Sequence, residues 1–270
     1  MSRRRRTMWA RSTRLAFAVI FLLATSARAQ EIRVAAAADL RFALSELASQ
    51  YEKQAGTKVN VTYGSSGNFF AQIQNGAPFD LFFSADLEYP RKLEAAGLAE
   101  SGTLFVYARG RIVIWTRRDV PIDVATQDWN ALLSSTVEKI AIANPAHAPY
   151  GRAAVAALKN AGIFDQVKSK LVYGENISQA AQFVQSGNAQ AGIVALSLAL
   201  SPPMQDGKRW EIPAAMHPAI EQCAILLKSA TNKAQARAFL EFIKTPEARA
   251  TFEKFGFMTP EANAASARKP

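Results

Sequence analysis

The chain has 270 residues, enough for one large domain or two smaller ones, and its 49% hydrophobic and 20% charged content is ordinary for a globular protein with a substantial core. The formal net charge is +10, but seven arginines and no acid fall within residues 1–29; residues 30–270 hold 25 basic against 22 acidic side chains, a net of +3, which makes no electrostatic case for nucleic acid. A single cysteine, Cys223, excludes an internal disulfide, and with only two histidines, His147 and His217, no metal-ligand cluster is expected.

The first element is a leader. An arginine-rich stretch precedes the apolar run Leu15 to Ala24, and Ala27-Arg28-Ala29 offers small residues where signal peptidase reads, so residues 1–29 are expected to be a signal peptide cleaved near Ala29-Gln30. The apolar run falls short of the ~20 residues that span a bilayer. The paired arginines leave the twin-arginine route open beside the general secretory route, which is the one expected. No cysteine follows the leader, which argues against a lipid anchor.

Ile32 to Ala37 reads as a strand, and Leu40, Leu44, Leu47 and Tyr51 recur at helical spacing up to Gly56. Lys58 to Tyr63 alternates like a strand, Gly64-Ser65-Ser66-Gly67 reads as a tight loop, Phe69 to Gln74 as a helix and Phe79 to Ser84 as a strand. Strand–helix–strand–helix–strand implies a parallel sheet with crossover helices. Further strands are expected at Arg111 to Thr116, Ile140 to Ala143, Leu171 to Tyr173, Ala191 to Val194 and Ile220 to Leu227, the last holding Cys223 as a buried thiol. Helices are expected from Arg152 to Asn160, over 178–186, from Lys233 to Ile243 and from Pro246 to Phe255. No linker separates two domains, so two lobes would be joined through ordered strands, with crossings near Tyr107–Arg111 and Pro218–Gln222.

Four turns bring small or polar residues to the start of a predicted helix: Ala37-Ala38-Asp39, Gly64-Ser65-Ser66-Gly67, Ala148-Pro149-Tyr150-Gly151 and Glu175-Asn176-Ile177-Ser178. In an open sheet such turns gather at the carboxyl ends of the strands, where helix N-termini offer free N–H groups and partial positive charge to an anion. The same residue types also cap helices and fill turns in proteins that bind nothing.

Gly64-Ser65-Ser66-Gly67, Ala71-Gln72-Ile73, Asn75-Gly76-Ala77-Pro78 and Phe83-Ser84-Ala85-Asp86 resemble the molybdate-binding components of ABC importers. So do Asn144-Pro145, Ala148-Pro149-Tyr150-Gly151, Gly192-Ile193-Val194-Ala195-Leu196 and Phe255-Gly256-Phe257, in the same order, over roughly residues 31 to 258. The resemblance implies a two-lobed periplasmic-binding-protein fold of type II: α/β, with mixed sheets, helices on both faces and a hinge between the lobes. Lobe I would be 30–109 plus 221–262, lobe II 110–220, and 263–270 a flexible tail.

It further implies a periplasmic solute-binding component that holds molybdate or tungstate between the lobes through hydroxyl and backbone N–H donors, with an inner-membrane ABC permease as partner. The protein would be a monomer, with no cofactor and no catalysis. Carried over residue by residue, Ser66 would give its hydroxyl and N–H, Ile177 its N–H, and Tyr150 the phenol that another subgroup carries where this chain has Ala195. The first turn departs from the family, whose serine, threonine or asparagine is replaced by Ala38-Asp39. A carboxylate beside a dianion is repulsive. Either Asp39 turns away as an N-cap, leaving backbone N–H groups for the ligand, or the ligand is different or weaker; the first is expected.

Other classes fit less well. A serine hydrolase elbow needs one residue more than Gly64-Ser65-Ser66-Gly67 provides, and His147 has no evident acidic partner. Phosphate-loop and dinucleotide motifs are absent, and Trp115, Trp129 and Trp210 are expected to be packing residues. Sulfate, phosphate or a small organic acid is the alternative ligand, with Asp39 the foothold for phosphate. An oxyanion-sensing regulatory domain would need a helix-turn-helix and a cytoplasmic address, against which the leader argues.

Overall fold

Apolar strands and amphipathic helices alternate along residues 31–260, the part of the chain that this computed structural model describes; the leader and the tail at 263–270 lie outside the described residues. The strands are β1 (Glu31–Ala37), β2 (Lys58–Gly64), β3 (Leu81–Ser84), β4 (Phe105–Gly110), β5 (Ile112–Thr116), β6 (Ile140–Ala143), β7 (Leu171–Gly174), β8 (Ala191–Ala195), β9 (Lys208–Glu211) and β10 (Ile220–Leu226). The helices of eight residues or more are α1 (Arg41–Ala55), α2 (Ser66–Gln74), α3 (Glu88–Ala95), α4 (Pro149–Asn160), α5 (Ile177–Gln185), α6 (Lys233–Ile243) and α7 (Pro246–Lys254).

They build two five-stranded sheets, ordered β2-β1-β3-β10-β4 and β7-β6-β8-β5-β9. In the first, β1 runs parallel to β2 and β3, while β10 is antiparallel to β3 and β4. In the second, β6 is parallel to β7 and β8, while β5 is antiparallel to β8 and β9. The chain passes from the first sheet to the second through Arg111 and returns between β9 and β10. Arg111 fastens the first crossing, donating through Nε to the Gly256 carbonyl at 2.8 Å and through Nη1 to Glu211 at 3.0 Å.

Helices cover both faces of the central strands, which therefore read as continuous apolar runs. Every residue of β3, β5, β6 and β8 is buried. The stripe Leu40, Leu44, Leu47 and Tyr51 packs inward, and Tyr51 meets Phe239 and Phe242 of α6 at ring-centroid distances of 5.0 and 5.3 Å. Gly56 ends α1 at φ 64°, a left-handed position that a side chain would strain, and its N–H bonds the Glu52 carbonyl. Cys223 is fully buried in β10, its thiol donating to the Asp86 carbonyl at 3.0 Å, and burial pushes the thiol up. Trp115 is buried and donates to Met204, while Trp129 packs edge-on against Trp210, so all three tryptophans serve packing.

Among the strands and the helices of eight residues or more, α3, β4 and β9 escape the sequence reading, as do short helices such as Val124–Gln127 and Leu196–Ala199. Boundaries also shift, two of them at the turns that matter most. α2 begins at Ser66 rather than Phe69, and α4 at Pro149 rather than Arg152, so Ser66 and Tyr150 belong to first helical turns instead of loops.

Candidate functional site

β1 and β2 are parallel neighbours in the first sheet, and β6 and β7 in the second. Each leads into a helical turn: Ala38–Leu40 (a short 3-10 turn), α2, α4 and α5 respectively. These four turns meet around one small cavity of about 10 Å³, which Ala38, Asp39, Ser66, Tyr150 and Ile177 all line, together with Ser65 and Asn176. The five residues singled out in the sequence are thus brought together, from turns as much as 139 positions apart.

The first N–H groups of a helix have no partner within it and carry its partial positive charge. Ser66 is the first residue of α2, Tyr150 the second of α4 and Ile177 the first of α5. Neither α2 nor α4 has a side-chain cap, whereas Asn176 caps α5 by accepting from Gln179 N–H at 3.1 Å. That cap engages the N–H two residues past Ile177 and not the N–H of Ile177 itself. Ser66 Oγ accepts from Ala85 N–H at 3.0 Å, so its own proton remains available to a ligand.

Asp39 corrects the expectation that it would turn away as an N-cap. It sits inside the Ala38–Leu40 turn, whose N-cap is Ala37 and which has no side-chain cap. The Asp39 side chain instead enters a buried polar cluster. Oδ2 accepts from the Tyr150 hydroxyl at 2.9 Å and from Gln222 Nε2 at 2.8 Å, and Gln222 Nε2 also reaches the Tyr150 oxygen at 3.2 Å. Oδ1 is buried without a partner among the described residues. Burial raises the Asp39 pKa from 3.8 to about 7, against the opposing effect of bonds from Tyr150, its own N–H and Gln222. The phenol of Tyr150 is therefore committed to Asp39, and burial beside that carboxyl pushes it well up.

Gln222, Gly110 and Tyr107 are the members that sequence reasoning missed. A Cβ on Gly110 would stand 2.1 Å from the Tyr150 hydroxyl, so only glycine lets the ring pack against β4. Tyr107 OH is buried without a partner among the described residues, and burial followed by the charge of Asp39 pushes it up. The signal for Gln222 was a lone amide in the apolar run of β10, where it is wholly buried.

The two sheets' turns also clasp one another. Gly67 N–H donates to the His147 carbonyl at 2.9 Å, and His147 Nδ1 lies 3.0 Å from Ser65 Oγ. His147 does have an acidic neighbour, which the sequence concealed: Nε2 lies 3.8 Å from Glu175, itself bonded by Asn68. Arg152 pairs with Asp86 and donates to Tyr89 OH at 3.3 Å. Ser178 and Ser197 donate to the Ala38 and Asp39 carbonyls at 2.9 and 2.8 Å. Among the described residues no group of three or more His, Cys, Asp or Glu could hold a metal ion, and no helix is long and apolar enough to cross a membrane.

Residues 32–258 match the model of a family described as bacterial extracellular solute-binding protein. The chain belongs to that family. Relatives within it include the molybdate-binding protein ModA of Azotobacter vinelandii, 40% identical over 238 residues, covering 87% of this chain and 93% of that one. ModA of Rhodobacter capsulatus is 38% identical over 244 residues, covering 90% and 94%. The solved structure of the Azotobacter vinelandii periplasmic molybdate-binding protein superposes with a TM-score of 0.79 at 35% identity, over 85% of this chain and 99% of that one. This member of the solute-binding family therefore has the two-lobed periplasmic-binding fold, with the cavity between its lobes.

Proposed function

We propose that this protein is the periplasmic solute-binding component of an ABC importer and captures molybdate, and tungstate with it. The observation that carries the reading is the convergence of helix N-termini from both lobes, with the Ser66 hydroxyl, on one small cavity lined by no cation. Ser66 gives its hydroxyl and N–H, and Ile177 and Ala38 their N–H groups. Tyr150 closes the wall and holds Asp39. A hydrogen bond to a charged group contributes about 1.5–3 kcal/mol net. Four of them give about 6–12 kcal/mol, comparable with the roughly 8–12 kcal/mol of micromolar-to-nanomolar binding before desolvation and lobe closure are subtracted.

Contacts from both lobes favour the closed state, which a membrane permease would recognise. Lobe I is taken as residues 30–109 plus 221–262 and lobe II as 110–220. The protein acts as a monomer after removal of its leader, without cofactor or bond-breaking step.

Calorimetric titration with molybdate, tungstate, sulfate and phosphate tests this. Tight binding of the first two with no heat from the others is expected; binding of sulfate or phosphate alone would move the ligand and keep the transport role. Asp39 is what favours the phosphate reading, because a carboxylate can accept from a protonated oxygen.

A further inference from the structure

Asp39 is the one acid in the wall of the cavity, and it is 1% exposed. If ionised, it repels an arriving dianion in surroundings that screen little. A neutral carboxyl reverses that interaction, because it has an O–H to donate. The geometry says which oxygen carries the proton. Oδ2 already accepts two hydrogen bonds, from Tyr150 and Gln222. Oδ1 is buried and has no hydrogen-bond partner among the described residues.

We propose that the cleft captures its oxyanion together with one proton, held on Oδ1 of Asp39, so that a carboxylic acid serves as a donor in the site and capture weakens as pH rises. The proposal rests on the oxyanion reading above. The titratable and charged groups around Asp39 do not offset it. Tyr150 faces it from α4, Tyr107 from β4 and the neutral Gln222 from β10, and α5 and the turn after β8 contribute only the Ser178 and Ser197 hydroxyls to neighbouring carbonyls. The cation closest in sequence, Arg41, stands over the Tyr63 ring.

Burial sets the Asp39 pKa at about 7, so the protonated, binding-competent form is roughly half populated at neutral pH. Apparent Kd is the intrinsic value divided by the competent fraction, so it rises about 25-fold between pH 6.5 and 8.5. Binding at pH 8.5 takes up close to one proton per ligand.

The purified protein and its Asp39→Asn variant are titrated with molybdate and with tungstate at pH 6.5, 7.5 and 8.5, in paired buffers of different ionisation heat. The expected result is the 25-fold rise and the proton uptake in the wild type. The variant, whose amide donates at every pH, should show a Kd that moves less than twofold and no uptake. A flat wild-type Kd without proton uptake overturns the proposal while leaving the ligand reading intact, as does a variant with the wild-type slope. Should the folded wild type give no heat with either anion at any pH, the ligand reading itself falls and takes this proposal with it. The wild-type uptake decides the matter alone if the variant does not fold.

Discussion

Asp39 also governs stability. In the unfolded chain it titrates near 3.8, and in the fold at about 7, so between those values the folded state holds a proton that the unfolded state lacks. Stability therefore falls as pH rises from about 4 to about 7, by on the order of 4 kcal/mol, and this contribution is flat above. Asp39→Asn should become progressively more stable than the wild type across that window, as urea unfolding at a series of pH values will show; a difference independent of pH would refute the buried-acid description. Ser66 offers a second case. Ser66→Ala removes one hydrogen bond to the anion and leaves Ala85 N–H without its acceptor. Its Kd for molybdate should rise about 10- to 100-fold, the equivalent of 1.5–3 kcal/mol, with a small drop in melting temperature.

At the level of elements, α2 approaches the 144–148 loop so closely that a Cβ on Gly67 would stand 2.7 Å from both the His147 carbonyl and the Tyr89 hydroxyl. The His147 carbonyl belongs to the other lobe and crowds that position only where the lobes meet, whereas the Tyr89 hydroxyl is the far end of a side chain on the same lobe. Alanine favours a helix by about 1 kcal/mol over glycine, so Gly67→Ala should fold as well as the wild type or better. It should nevertheless bind molybdate at least tenfold more weakly, and calorimetry beside a melting curve separates the two effects. The same helix shows why some elements were legible and others were not. Repeating apolar positions announce β1, β3 and α1, whereas Ser66 and Gly67 are poor helix formers placed in a helix by their surroundings. β9 is an edge strand, Lys208–Glu211, whose charged residues carry no apolar run. α3 hides behind Pro90 in its first turn, with Tyr89 and Leu93 as its inward stripe. The turns around the cavity were readable because small residues cluster there. The Asp39–Tyr150–Gln222 cluster was not, since its members lie 111 and 183 positions from Asp39 and meet only because β3 brings β10 near β1 and α4 arrives from the other lobe.

For the whole molecule, the polar contacts between the lobes are buried where Tyr150, Ser178 and Ser197 reach the Ala38-Asp39 turn and part-buried at His147 and Arg152, the latter the kind that can break and re-form as a hinge moves. Arg152, paired with Asp86 and Tyr89 across the cleft, is the most connected of them. Arg152→Ala should favour the open state. Small-angle scattering without ligand should then give a larger radius of gyration than the wild type, and molybdate should restore the wild-type value. Ligand that binds only the folded, closed molecule also stabilises it by mass action, by about 2.7 kcal/mol at a hundred times Kd. A rise of about 5–10 °C in melting temperature with molybdate is expected on that basis, with none from an anion that does not bind.

The lone thiol, sealed in β10, has a practical consequence. Maleimide dyes will ignore Cys223 and react only where a cysteine is engineered in. The side chains of Lys92 on one lobe and Lys168 on the other are 54% and 60% exposed. A donor and acceptor dye on Lys92→Cys and Lys168→Cys would turn lobe movement into an energy-transfer signal. The protein would then serve as an optical gauge of dissolved oxyanion, with no native cysteine to remove first.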